Sequence, residues 1–378
     1  MKIVIDLRSL STGTISGVEN YCLQVVEHLL PLDKKNEYSL FYNAWQKQAL
    51  PDFHYINSSW RYTRLPSKFL NLALKFNFVK LEKLAVKNQA GPNIVFMPNL
   101  GQFSIEPETK LAVTVHDLSP VVVPEFYDLK RRLWHRFLGY RKAFARADLI
   151  FAVSENTKRD LMRLYDVPAE KIRVVYPGID RKFFHPNLKP QVLRQVRNLY
   201  GLPGEFVLFL NTIEPRKNLA NLIRAFELLP GPASLVVAGR PGWKYAKIFR
   251  QIKRSPKAGK IHYIGYVAEE HKPALLKLAR ALVYPSFYEG FGFQPLEAMA
   301  VGTPAVVSQV TALAEVAGEA ALLVNPYNVQ DLAQALDLVL TDEPLRQRLI
   351  SRGLKRALDF DWDLASQRIL SGLNSLTV

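Results

Sequence analysis

Cysteine is nearly absent: Cys22 is the single one in 378 residues. No internal disulfide can form, which suits a reducing compartment, and Cys22 falls on the apolar side of an expected helix, where it reads as buried filler. No stretch approaches 18 uninterrupted apolar residues, and the opening Met1-Lys2-Ile3-Val4-Ile5-Asp6-Leu7-Arg8 puts charges where a signal peptide needs an apolar run. Neither export nor a membrane span is expected, and the cytoplasm is the expected location. Low-complexity segments and disordered tails are missing too. The histidines, such as His54, His185 and His262, have no metal-ligand spacing. Acid is scarce: 34 Asp and Glu against 50 Lys and Arg leave a net charge of +16. That excess implies an anionic partner, whether nucleotide phosphates, nucleic acid or an anionic membrane surface.

The chain is too long for one ordinary core and suits two domains. Short β-rich apolar runs alternate with helical patterns throughout, which means α/β architecture with parallel sheets covered on both faces. In the first half the expected strands are Lys2 to Asp6, Ile94 to Pro98, Leu111 to Asp117, Leu149 to Val153 and Ile172 to Tyr176. In the second half they are Phe206 to Leu210, Ser234 to Ala238, Ile261 to Gly265, Leu282 to Tyr284 and Ala305 to Ser308. Pro177-Gly178 turns the chain out of the first sheet, and the segment from Phe183 to Pro190 reads as a linker. The domains are accordingly placed at 1–188 and 189–360.

The rest is organised around Tyr284 to Pro304, which reads as a strand end, a glycine-rich turn and a short helix closed by Gly302. Backbone N–H groups around Phe291 and Gly292 would open that helix and receive an anion. Glu289 and Glu297 flank the site, and carboxylates there suit hydroxyls better than phosphate. A ligand that carries both phosphate and hydroxyls, such as a nucleotide sugar, fits this pairing. A second anion-ready terminus follows the first strand, in the loop Ser9 to Gly17, where Ser16 and Glu19 have capping-box spacing; taken alone, such a loop is more often a plain strand-to-helix connection. His116-Asp117 ends a strand, where ligands of open parallel sheets gather, although a lone histidine is more often structural. Arg216 and Lys217 stand just before a helix, as phosphate ligands or as part of a solvated loop.

Glu289-Gly290-Phe291-Gly292 followed by Glu297 resembles the signature of two glutamates seven residues apart in retaining glycosyltransferases of the GT-B fold, in particular family 4. Glu214-Pro215-Arg216-Lys217-Asn218 and Val115-His116-Asp117 resemble the same family at the expected places, so the similarity runs over essentially the whole chain. Within that family the chain resembles bacterial mannosyltransferases of cell-surface polysaccharides. The resemblance implies two Rossmann-like parallel-sheet domains facing a cleft, the first for the acceptor and the second for the donor. It also implies a C-terminal helix, 361–378, that crosses back to the first domain. As catalytic residues it implies His116, Glu289, Lys217 and Arg216. As donor-binding residues it implies Gly17, Arg216, Lys217, Tyr266, Val267, Glu289, Gly290, Phe291, Gly292 and Glu297. Glu289 would hold sugar hydroxyls, Glu297 the ribose, and His116 the donor's sugar and phosphate. Many members carry a phosphate arginine where this chain has Thr212, so Arg216 is the candidate substitute. The expected reaction moves a hexose, mannose from GDP-mannose, with retention of configuration to a hydroxyl of a glycan or lipid-linked acceptor. Glucose or N-acetylglucosamine from a UDP-sugar is the alternative. No cofactor and no metal are expected, and domain closure is expected about a linker near residues 186 to 200. Glu289→Ala is expected to abolish transfer and spare the fold.

Two basic stretches with interleaved apolar and aromatic residues, 61–88 and 130–146, lie in the first half. Each reads as a packed helix with a solvated face or, the two taken together, as an attachment to anionic lipid on the inner face of the cytoplasmic membrane. Asp359, Asp361 and Asp363 have a spacing that binds metal in another glycosyltransferase fold. They immediately precede an apolar-periodic helix, so helix capping is the expected role. Two other readings stay open. A nucleic-acid binder would account for the charge, but recognition-helix and zinc patterns are missing, and no nucleic-acid partner is expected. A sugar-nucleotide epimerase would share the build and need no acceptor.

Overall fold

The structure, a computed structural model, describes residues 1–12, 17–45, 53, 55–86 and 91–377. Ser16 of the capping box, Lys87 of the first basic stretch and His54 lie outside the described residues. The chain forms two compact units, the first comprising Met1–Leu118, Leu133–Gly178 and Asp361–Val378, the second Ser119–Arg132 and Ile179–Phe360. Each is built on a parallel sheet.

The first sheet contains, among the described residues, β1 (Lys2–Asp6), β2 (Glu37–Asn43), β3 (Ser58–Thr63), β4 (Ile94–Met97), β5 (Lys110–Val115), β6 (Leu149–Ala152) and β7 (Ile172–Val174), in the order β3-β2-β1-β4-β5-β6-β7. The second contains β8 (Phe206–Leu210), β9 (Ser234–Ala238), β10 (Ile261–Gly265), β11 (Ala281–Tyr284), β12 (Ala305–Ser308) and β13 (Leu322–Val324), in the order β10-β9-β8-β11-β12-β13. Central strands such as Phe206-Val207-Leu208-Phe209-Leu210 are buried along their whole length, as covered parallel strands require. In both sheets the order reverses direction once, between β1 and β4 and between β8 and β11. Loops at the carboxyl ends of those neighbouring strands diverge and leave a crevice.

Most expected strands appear near their expected limits. The ends are earlier at β4, β5, β6 and β7, so His116 and Asp117 lie on the loop just past β5. The strand β2, the edge strand β3 and the three-residue edge strand β13 were not expected, and β3 takes up Arg61 of the first basic stretch. That stretch then divides into the helices Ser67–Lys75 and Leu81–Ala85. The second basic stretch breaks at Gly139, whose φ of 68° ends one helix, Leu129–Leu138, and leads into the next, Tyr140–Arg146.

The chain passes from the first unit to the second after Gly178, earlier than the boundary read at 188, and residues 119–132 also belong to the second unit. A side chain at Gly178 would lie 2.3 Å from the Trp362 amide nitrogen, so only glycine passes the start of the last helix. The hinge expected at 186–200 instead carries the helix Pro190–Leu199. Pro190 occupies its first turn, where a missing N–H costs nothing. The last helix, Trp362–Asn374, belongs to the first unit and packs on the helix Gly17–Leu32. Asp361 caps it, accepting from the amides of Asp363 and Leu364 at 2.8 and 3.1 Å, while Asp359 pairs with Arg356 and Asp363 with His28. The aspartates thus have separate, structural partners. Cys22 is buried, with Sγ 3.5 Å from the Ser9 hydroxyl. No helix among the described residues is long and apolar enough to cross a membrane.

Candidate functional site

In the second unit the loops that follow β8 and β11 meet at the reversal of strand order. The first runs through the short helix Pro215–Lys217 to Asn218, whose φ of 60° turns the chain into the helix Leu219–Leu228. The Asn218 side-chain amide donates to the carbonyls of Pro285 and Pro326 at 3.0 and 2.8 Å. The Phe287 amide donates to the Arg216 carbonyl at 2.9 Å, and Arg216 Nη1 to the Tyr288 carbonyl at 2.6 Å. Four hydrogen bonds therefore hold the two loops and the chain at Pro326 in register.

Glu289 is the junction. Its Oε1 is 2.6 Å from Lys217 Nζ and its Oε2 is 3.1 Å from Arg216 Nη1, while Arg216 Nη2 is 3.0 Å from Glu214 Oε1. All four side chains are buried. Burial would raise the Glu289 pKa, but Lys217 and then Arg216 overcome it and hold the carboxyl down at about 2. For Lys217, burial and then the neighbouring Arg216 push the pKa below its usual value, against the pull of Glu289. Glu214 is raised, chiefly by burial. Lys217 Nζ is also 3.3 Å from the Tyr284 hydroxyl, which donates to Gln294 Oε1 at 3.1 Å. Two buried cations are thus compensated by two carboxylates, and an anion arriving here would have to compete with Glu289 for Lys217 and Arg216.

The glycine-rich turn after Glu289 ends at Gly292, which precedes the helix Phe293–Ala300. Gly292 has a φ of 109°, and a Cβ there would lie 2.6 Å from Leu313 Cδ2. Gly292→Ala combines strain with a clash and should destabilise by about 1–3 kcal/mol, read as a lower melting temperature of the second unit. In the helix's first turn the amides of Phe293 and Gln294 have no intrahelical acceptor, whereas Pro295 has no N–H to offer. The helix starts slightly later than read from sequence. Phe291 is buried against the rings of Phe293 and Phe360, and Gly290 is buried beside it.

Glu297, in the same helix, is the odd group. Its Oε2 is buried with no hydrogen-bond partner among the described residues, and burial raises its pKa to about 7 despite the charge of Lys272. Lys272 itself is 2.6 Å from Glu269 Oε1. A buried carboxylate oxygen with an open lone pair suits a ligand hydroxyl. On the loop after β10, Tyr266 is exposed beneath the Arg240 guanidinium, 4.1 Å from its ring centroid, and Val267 is buried.

His116 belongs to the first unit. Its Nε2 is 2.8 Å from the Pro98 carbonyl, which can only accept, so the ring carries a proton on Nε2 and presents Nδ1 as its acceptor when neutral. The Tyr21 ring meets it edge to face at 4.7 Å between centroids. Burial lowers its pKa. The ring borders a cavity of about 450 Å³ at the reversal of the first sheet, lined also by Arg8, Asn71, Asn99, Gln102 and Trp134. Arg8 is held there by the buried Asp6, 2.6 Å away, and by the Gln102 carbonyl at 2.7 Å. Gly17, on the exposed start of the helix Gly17–Leu32, is in this unit as well. Glu289, Arg216 and Lys217 are thus brought together, with Glu297 in the adjoining helix, while His116 and Gly17 belong to the other unit.

The sequence reading had not singled out Asn218 as the bracket between loops, Tyr284 as a partner of Lys217, or Arg8 and Asp6 on the cavity wall. Asn218 alone had a local signal, an asparagine directly before an apolar-periodic helix, where left-handed backbone is tolerated.

The architecture is that of GT-B glycosyltransferases. The chain superimposes on HepE from Anabaena, solved with UDP and glucose, with a TM-score of 0.72 at 18% identity, covering 99% of this chain and 100% of that one. On sucrose-phosphate synthase from Thermosynechococcus elongatus the TM-score is 0.76 at 20% identity, covering 100% and 99%. The family model for glycosyl transferases group 1 matches residues 197–356, and that for glycosyltransferase family 4 matches 15–183. The chain belongs to this family of glycosyltransferases. Among curated relatives it is similar to the O-antigen chain mannosyltransferase B of Escherichia coli, 28% identical over 96% of this chain and 97% of that one.

Proposed function

We propose that the chain transfers a hexose, with retention of configuration and without a metal, from a nucleoside diphosphate sugar to a hydroxyl of a glycan or lipid-linked acceptor in cell-surface polysaccharide synthesis. The observation that carries this is the buried Glu289–Lys217–Arg216 cluster at the strand-order reversal, beside a helix N-terminus. Charge builds on the departing diphosphate in the transition state. Lys217, Arg216 and the amides at the start of the helix Phe293–Ala300 stabilise it where water is excluded. The diphosphate displaces Glu289 from the cations and frees its carboxylate to hold sugar hydroxyls. Glu297 takes the ribose hydroxyls on its open oxygen, Tyr266 and Val267 border the base, and Nδ1 of His116 accepts from the donor sugar. The leaving phosphate oxygen takes the proton of the acceptor hydroxyl. No cofactor enters this scheme.

Mannose from GDP-mannose is the favoured donor, supported by similarity to a mannosyltransferase along nearly the whole chain. A UDP-hexose is the second reading, favoured by the likeness to HepE, a protein solved with UDP and glucose. Melting the protein against GDP-, UDP- and ADP-sugars separates them. A ligand at a hundred times its dissociation constant adds about 2.7 kcal/mol to stability. The expected result is a shift with GDP-mannose that survives EDTA. A shift that needs magnesium would overturn the metal-free scheme, and a shift with a UDP-sugar alone would replace the donor. Release of an altered sugar without any acceptor would identify an epimerase instead.

A further inference from the structure

We propose that the outer face of the helix Ser67–Lys75, with the turn after it, docks on an anionic lipid surface. The helix has two apolar stripes. Leu70 and Leu74, one turn apart, are buried and satisfy its packing against the first unit. Phe69, Leu72 and Phe76 recur at the i, i+3, i+7 spacing of a second face, and Phe69 and Phe76 are 73% and 57% exposed. At Asn77 a φ of 60° reverses the chain and brings out Phe78, 79% exposed, with its ring centroid 6.3 Å from that of Phe76. Large aromatics gathered on one exposed surface mark an interaction site, because isolated ones suffice to explain ordinary surface apolarity.

The charge around the patch selects its partner. Arg64, Lys68 and Lys83 are exposed on the same segment. The one acid between 64 and 86, Glu82, is buried and accepts from the Glu106 amide at 2.8 Å, and the half-exposed Glu106 carboxylate beside it lies 3.7 Å from Lys80, so Arg64, Lys68 and Lys83 outnumber the one exposed acid bordering the segment. Lys75 extends over the Phe137 ring, 3.3 Å from its centroid, and donates to the Phe137 carbonyl at 2.8 Å, which joins the patch to the end of the helix Leu129–Leu138. None of that helix's residues is buried, and Leu133, Trp134 and Arg136 are exposed beside the junction. Protein interfaces are depleted of lysine at their centres. Lysines with apolar stems around exposed phenylalanines suit the boundary between headgroups and acyl chains, where the rings enter the apolar layer and the ammonium groups meet phosphate.

This placement deepens the transferase reading and rests on it for the acceptor. Leu70 and Asn71 of the same helix line the cavity beside His116. One helix would thus face lipid on one side and the cavity on the other, and an acceptor anchored in that lipid layer would reach the cavity past its edge.

The test is sedimentation of the full chain with phosphatidylglycerol vesicles and with phosphatidylcholine vesicles, without nucleotide or acceptor. The protein is expected to pellet at least tenfold more with the anionic vesicles, and less as salt is raised. The Phe76→Ser, Phe78→Ser double variant should lose tenfold or more of that binding while keeping its melting temperature and its nucleotide-sugar shift. A Lys68→Glu, Lys83→Glu variant should lose the preference for anionic lipid. The proposal is overturned if the wild type stays in solution with anionic vesicles or if both variants pellet as it does. A concentration-dependent dimer abolished by the phenylalanine variant, without vesicle binding, would give the surface to a second copy of the chain. Because the readout needs no donor, a protein that binds vesicles but no nucleotide sugar would refute the donor assignment and leave this surface standing.

Discussion

Glu289→Gln should lower sugar transfer by about a hundred- to a thousand-fold, the range seen when one preorganised polar group at a reacting centre is removed, and should at the same time tighten the binding of free nucleoside diphosphate. The two effects have one source. Glu289 neutralises Lys217 and Arg216 at 2.6 and 3.1 Å, and an arriving diphosphate must compete with it for both cations. A neutral amide no longer competes and no longer repels the phosphates, yet it grips sugar hydroxyls less well than a carboxylate. The substitution also has a structural effect. Breaking a buried ion pair by removing one partner costs about 3–5 kcal/mol, so the variant should melt lower, where the sequence alone leads one to expect an unaffected fold, and Glu289→Ala should lose still more. Added nucleoside diphosphate should restore much of the lost melting temperature, because it supplies the missing negative charge. Calorimetric titration with nucleoside diphosphate, alongside turnover, decides the matter. If transfer persists, or if diphosphate binding is lost with it, Glu289 is only a structural counter-ion.

What the sequence disclosed follows from how each feature is encoded. β8, β9 and β12 were readable because strands covered on both faces must be continuous apolar runs. The edge strand Ser58-Ser59-Trp60-Arg61-Tyr62-Thr63 is only partly buried, and its polar half masked its periodicity. At β13 three residues are too few for any period to show. The helix Pro190–Leu199 was hidden by a proline that also signals a turn, and nothing local separates the two meanings. Within the site, Glu289, Arg216 and Lys217 could be named from motifs on two loops, but their mutual neutralisation could not, since it depends on β8 and β11 being neighbours. The same holds for Arg8, Asp6 and His116 around the cavity of the first unit. They sit at the ends of β1 and β5 with β4 between them, an order no spacing along the chain records.

Glu297→Gln should move stability and binding in opposite directions. The carboxyl has a pKa of about 7 in the folded chain, above its ordinary 4.5, because burial outweighs the charge of Lys272. Between those two values the folded state holds more protons than the unfolded chain, so stability falls as pH rises from about 4.5 through 7, and the loss is complete above 7. That loss is on the order of 3–4 kcal/mol. A glutamine cannot ionise, so the variant should melt higher than the wild type at pH 8 and nearly level with it at pH 5, with Lys272 still paired to Glu269 at 2.6 Å. Its affinity for the nucleotide sugar should fall by about tenfold or more at pH 8, as a hydroxyl bond to a charged acceptor is worth about 1.5–3 kcal/mol. Wild-type binding should weaken as pH drops below 7 and the carboxylate takes up its proton, whereas the variant should show little of that dependence. Melting curves and donor titrations at pH 5 and pH 8 test both halves. A variant less stable at pH 8 would mean that the open oxygen of Glu297 has a structural partner. Unchanged affinity would remove the ribose from Glu297 and place the nucleotide elsewhere along the crevice. The expected pair of outcomes would show a buried carboxylate that lowers the stability of the fold and finds its partner in the donor.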